Sequence, residues 1–116
     1  MAMPTTTVQG KVILPSGDPA TAGTLTLVLS EPGLVNDGAT DHRIGGERQE
    51  EIGTDGAVDF ALVPNDQITR DGEESPGGTI YRVDVLVTSP YRCRWSESWS
   101  VDSSPDPVDI GAITRA

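Results

Sequence analysis

Apolar residues in this chain recur at every second position, in short bursts separated by turn residues. Leu25, Leu27 and Leu29 alternate with Thr24, Thr26 and Val28. Val58, Phe60 and Leu62 alternate with Ala57, Asp59 and Ala61, and Tyr81, Val83, Val85 and Val87 alternate with mostly polar neighbours. A period of two is that of a strand with one buried face. The punctuation agrees. Pro15-Ser16-Gly17-Asp18 and Ser89-Pro90-Tyr91 are turn sequences, Asp55-Gly56 stands directly before one burst, and Pro64-Asn65 ends it. No stretch of ten or more residues repeats apolar positions at helical spacing, so essentially no long helix is expected.

The pattern predicts about seven strands, the number an immunoglobulin-like sandwich carries. They run over residues 6–14, 24–30, 42–52, 57–63, 80–88 and 93–101, with a last one through Val108, Ile110 and Ile113. The third is expected to be a charged edge strand broken at Gly45-Gly46, since charge on an edge resists unwanted pairing. Residues 31–41 and 66–78 read as long polar loops, residues 103–107 as a linker and residues 1–5 as a flexible N-terminus. Short strands without crossover helices predict one all-β domain over residues 1–116. It would be an antiparallel β-sandwich of immunoglobulin-like or transthyretin-like type, with a small β-barrel as the alternative. Val12, Leu27, Phe60, Leu62, Tyr81, Val83 and Val85 are the expected core.

Composition sharpens this picture. The chain has 116 residues, of which 35% are hydrophobic and 4% aromatic, so the core must be thin and aliphatic. Gly 13 and Pro 9 supply the turns that many short strands need. The net charge of -10 disfavours nucleic acid as a partner, because phosphate binding needs clustered Lys or Arg. Apart from Arg92 and Arg94 the basic residues are scattered. The single cysteine, Cys93, allows no intrachain disulfide and reads as a packed strand residue. The N-terminus lacks the pattern of a signal peptide and no apolar run is long enough to span a bilayer, so a protein made in the cytoplasm and not held in a membrane is expected.

Candidate chemistry is sparse. His42, the only histidine, could be imagined with Asp41 and Ser30 or Ser89 as a hydrolase triad, but no nucleophile-elbow pattern accompanies it. It reads as a solvated histidine. Asn36-Asp37-Gly38-Ala39-Thr40-Asp41 is rich in oxygen, but it lacks the alternating acidic spacing and final Glu of a calcium loop. Gly45-Gly46 is not followed by the Lys-Ser/Thr pair of a phosphate loop. No catalytic residue, metal site or cofactor is expected. Trp95 and Trp99 are the residues that stand out. Two tryptophans two positions of alternation apart share a strand face, as core anchors or as an interface patch. In the second case Tyr91, Arg92 and Arg94 would form its rim, and Asp37 and Asp41 would steer a basic partner.

The order of motifs resembles a known family. Gly10, Val12, Pro15, Gly17, Pro19 and Ala20 open the chain. Thr54-Asp55-Gly56, Phe60-x-Leu62-x-Pro64-Asn65 and Gly78-Thr79-x-Tyr81-x-Val83 follow in turn. In this the chain resembles the small β-sandwich modules of tailed-bacteriophage virion proteins, notably the N-terminal attachment domains of tail fibres. Transthyretin-like and carboxypeptidase-regulatory-like sandwiches share part of the pattern. A fibre would continue into a long shaft, whereas this chain stops at Ala116, so a free-standing adaptor or decoration protein is the expectation. The resemblance implies a non-enzymatic virion component made in the host cytoplasm. Its partners would be phage capsid or tail proteins, in a homo-oligomer or symmetric array. A protein- or carbohydrate-binding module of a cellular assembly is the other reading.

Overall fold

A computed structural model describes residues 3–115, and these fold as a β-sandwich with a third, smaller sheet at one end. The strands in chain order are β1 (Thr6–Lys11), β2 (Ala22–Leu29), β3 (Gly33–Asn36), β4 (Asp41–Ile44), β5 (Glu47–Ile52) and β6 (Ala57–Leu62). β7 (Ile68–Arg70), β8 (Tyr81–Ser89), β9 (Cys93–Ser100), β10 (Val108–Asp109) and β11 (Thr114–Arg115) follow. One layer has the order β10-β1-β6 and the other β11-β9-β8-β2-β5, while β4-β3-β7 forms the third sheet. All ladders are antiparallel except β1 with β10, which is parallel. The expected sandwich is therefore present, with eleven strands in place of about seven.

The register explains the core. β2 and β8 pair Leu25 with Val85, Leu27 with Val83 and Leu29 with Tyr81, so one apolar row lies on one face. β1 and β6 pair Val8 with Phe60 and Thr6 with Leu62 and present their own buried row. Residues of both rows join in a single hydrophobic cluster, as the inward faces of two stacked sheets do. Every expected core residue is buried in it. Two buried polar groups tie the layers at their ends. Asn65, in the 3-10 turn after β6, donates from Nδ2 to Thr79 Oγ1 at 3.0 Å and accepts the Val101 N–H at 2.8 Å. Thr6 Oγ1 donates to the Asp102 carbonyl and accepts the Ser104 N–H, both at 3.2 Å. The segment expected as a linker is thus anchored at its start, where Asp66 also accepts from the Ser103 N–H and hydroxyl.

The two expected loops are the main correction. Residues 31–41 contain β3, and residues 66–78 contain the end of the 3-10 turn and β7. These strands pair with each other and with β4. Gly33 makes this possible: a Cβ there would lie 2.4 Å from the Thr69 carbonyl oxygen, so only glycine lets β3 and β7 approach. Val35 and Ile68 from this sheet are buried. The expected break at Gly45-Gly46 separates β4 from β5, and β5 is an edge strand. The molecule measures 46 Å along its long axis. A nine-residue strand spans about 30 Å, and the third sheet, beside the Leu29–Tyr81 end, accounts for the rest. The expected flexible segment, residues 1–5, lies partly outside the described residues. Among the described residues no helix is long and apolar enough to cross a membrane.

Candidate interaction surface

Strand parity decides where the residues of β9 point. Cys93, Trp95, Glu97 and Trp99 pair with Val87, Val85, Val83 and Tyr81, which face the core. Arg94, Ser96 and Ser98 pair with Leu86, Asp84 and Arg82 on the outer face of the same sheet. The expected patch is therefore divided. Trp99 is only 1% exposed and belongs to the core, which resolves the alternative left open by the sequence and removes it from the surface set. Trp95 is half-buried on the inner face, Arg94 is exposed on the outer one, and Arg92 and Tyr91 are exposed in the β8–β9 turn, Tyr91 at 43%. Asp37 and Asp41 lie at the β3–β4 hairpin of the third sheet, and so form no continuous surface with Trp95 through sheet β11-β9-β8-β2-β5.

Glu97 is the residue to which the sequence reading assigned no role. Its carboxylate accepts the indole N–H of Trp95 at 3.2 Å, the indole N–H of Trp99, and an Arg115 N–H at 2.9 Å. The signal was available: a glutamate between two tryptophans on one strand face needs donors, and indole N–H groups need acceptors. Around this group the two layers part into a cleft of about 280 Å³. Trp95, Ile110, Ile13 and Lys11 stand among its lining, with Glu97, Asp109 and Arg115. Ile13, at 51% exposure, is the most exposed large apolar side chain described.

At the other end of the molecule His42 Nε2 lies 2.8 Å from Asp37 Oδ2. Asp37 Oδ1 accepts the backbone N–H groups of Ala39 and Thr40, both at 2.8 Å. These bonds, with that of His42 the largest, pull the Asp37 carboxyl down to about 2. The pair is a hairpin clasp. Asn36 Nδ2 also donates to Asp41 Oδ1 at 2.8 Å, which closes the oxygen-rich segment on itself. Arg43 and Asp71 hold each other across the third sheet in a two-pronged pair, which lowers the Asp71 carboxyl and raises the Arg43 guanidinium. Among the described residues no group of three or more His, Cys, Asp or Glu is placed to hold a metal ion. Burial pushes the Tyr81 phenol up to about 12, and its hydroxyl donates to the Val63 carbonyl at 2.6 Å.

The class that these features define is an all-β sandwich with an aromatic cleft between its layers. No protein-family model matches the chain, and no curated protein matches it either.

Proposed function

We propose that this chain is a non-enzymatic structural component of a tailed-phage virion, a small adaptor or decoration protein. It attaches to capsid or tail proteins through protein–protein contacts, as a homo-oligomer or symmetric array, and takes no nucleic acid, membrane or cofactor. It is made in the host cytoplasm and resides in the virion. The observation that supports this reading is where the motif residues of the resemblance sit. Asn65, Thr79 and Tyr81 join the end of β6 to β8 and to the residue after β9 through side-chain hydrogen bonds. Gly56 closes the turn into β6, where a Cβ would lie 2.8 Å from the Val12 carbonyl oxygen. The motifs thus describe the joints of one sandwich rather than unrelated turns. The step from that fold to a virion role is an analogy of fold and motif.

The test is composition. Particles of the phage that encodes this chain are purified through a density gradient and quantified by mass spectrometry. Presence at a copy number matching a particle symmetry supports the reading, and absence from washed particles refutes it. The half-buried Trp95 in its cleft favours one second reading, a protein- or carbohydrate-binding module of a cellular assembly. Specific glycan-array binding lost on Trp95→Ala would select that reading.

A further inference from the structure

Sheet β11-β9-β8-β2-β5 ends in two very different edges. β8 pairs with β9 from Cys93 to Trp99. On its other side β9 meets only β11, at Trp99 and Ser100. Among the described residues, Cys93–Ser98 therefore presents an open backbone edge of six residues. The opposite edge strand, β5, is also six residues long and pairs in a ladder with β2 alone.

The charges of these edges oppose each other. Glu47, Gln49 and Glu51 pair with Val28, Thr26 and Thr24 and so lie on the outer face of β5. On β9 the outer face carries Arg94, with Arg92 in the turn before it. Arg43, Arg48, Arg70 and Arg115 all have carboxylate partners. Lys11, Arg82, Arg92 and Arg94 have none among the described residues, and the three arginines all belong to the β8–β9 hairpin. In a chain with 18 acidic residues, three of the four cations without an ion pair lie on one hairpin at one side of one sheet.

We propose that copies of this chain add to one another head to tail, β5 of one copy pairing with the open edge of β9 in the next. The proposal rests on the reading of the chain as an assembling structural protein and names the contact. The strand directions permit it. β9, β8, β2 and β5 alternate in direction, so β5 runs opposite to β9. Repeating the molecule along the sheet then sets β5 of the second copy antiparallel to β9, with both inner faces on the same side. The sheet simply continues, as in strand addition to an exposed edge. In the register that covers the open edge, Arg94 stands opposite Glu51 of the second copy and Ser96 opposite Gln49. On the inner face Glu97 stands opposite Arg48. Opposite charges directly across a ladder stabilise it, and like charges destabilise it. β5 against a second β5 would set an acidic strand beside an acidic strand. A head-to-tail contact of this kind builds a ring if the rotation closes and a filament if it does not.

The experiment is sedimentation velocity on the whole chain from micromolar to millimolar concentration. Salt is held at about 0.15 M, where screening limits repulsion between acidic copies. The wild type is expected to grow in mass with concentration. Arg94→Glu and Glu51→Lys each set like charges across the contact and should each weaken association by roughly tenfold or more. The double variant, and a one-to-one mixture of the two single variants, should recover it. A wild type that stays monomeric, a silent Glu51→Lys, or a double variant no better than the singles overturns the proposal. A second measurement is independent of charge. In a Cys93→Ser background, Ser96→Cys with Gln49→Cys should give a ladder of covalent multimers on oxidation, and Ser96→Cys alone should give none. Dimers from Ser96→Cys alone would mean β9 pairs with β9 and would also overturn it. Absence from phage particles removes the virion role and leaves this pairing standing, whereas a monomeric wild type removes the pairing and leaves attachment by other surfaces standing.

Discussion

Replacing Glu97 by glutamine changes almost no volume and tests whether the carboxylate organises the tryptophan face. The wild-type group offers two acceptor oxygens to three donors: Trp95 at one oxygen, Trp99 and Arg115 at the other. Glutamine has one acceptor oxygen and an amide that donates. In its better orientation the oxygen keeps Trp99 and Arg115, and the amide then faces the Trp95 N–H, donor against donor. Hydrogen bonds to a charged group are worth about 1.5–3 kcal/mol and neutral ones about 0.5–1.5 kcal/mol. Exposure of the Arg115 pair keeps its share below about 1 kcal/mol, and water can reach half-buried Trp95. The loss thus falls mainly on the weakened Trp99 bond and comes to about 1–3 kcal/mol. Glu97→Ala leaves the Trp99 N–H with no acceptor beside the core and should cost about 1 kcal/mol more. Urea unfolding followed by tryptophan fluorescence gives the free energies, and the indole N–H resonances report each bond separately. A Glu97→Gln protein within about 0.5 kcal/mol of wild type, with both indole resonances unmoved, would refute the reasoning.

Other expectations follow from the same structure. Asn65→Ala strands the buried Val101 N–H and the Thr79 hydroxyl and should cost about 2–4 kcal/mol in the same unfolding assay; Thr79→Val, which removes one of these bonds, should cost less. Phe60→Ala should cost about 3–5 kcal/mol, a large part of the stability of a domain this size, with the melting temperature falling accordingly. The Asp37 carboxyl sits below its unfolded value of 3.8, so its clasp is fully in place above pH 3.8 and is lost as pH falls toward about 2. A carboxyl-detected NMR titration should place its midpoint near 2, and His42→Ala should move that midpoint upward. Burial gives Tyr81 the opposite sense: its contribution is intact below pH 10 and lost as pH rises toward about 12, which alkaline unfolding of Tyr81→Phe against wild type would show.

The sandwich was legible because its strands are long enough to alternate. β8 buries every second residue from Tyr81 to Val87 and β2 from Leu25 to Leu29, and a period of two sustained in this way has no helical reading. The third sheet was not legible, for a physical reason. β3 and β7 are four and three residues long, too short to display a period, and their evidence for pairing is a close approach at Gly33 that no local pattern reveals. The surface set was half legible. Trp95 and Trp99 were placed on one face correctly, but Arg94 was grouped with them by adjacency, and one residue along a strand is the opposite face. Glu97 stands between the tryptophans in sequence, yet its role depends on Arg115 arriving from the end of the chain.

Parity also bears on how so acidic a protein could meet another copy of itself. Two chains of net charge -10 repel at a distance, so a contact between them must lie where local charge departs from the average. An alternating sheet provides such places, because each strand sends its charges to one face in a fixed register. On β5 that face carries Glu47 and Glu51, and on the β8–β9 hairpin it carries Arg82 and Arg94 with Asp84 between them, Arg94 standing on the edge strand, on the same side of one continuous sheet. The acid excess is therefore uneven along the sheet, with opposite signs at its two edges. β4 and β5 are edges filled with charged side chains, the usual defence against promiscuous pairing. From Cys93 to Ser98, β9 carries one outward charge and no proline. An edge left open in this way, opposite an edge of matching length and opposite sign, limits the partners it accepts to strands that bring acid to the outer face, and β5 of another copy is such a strand.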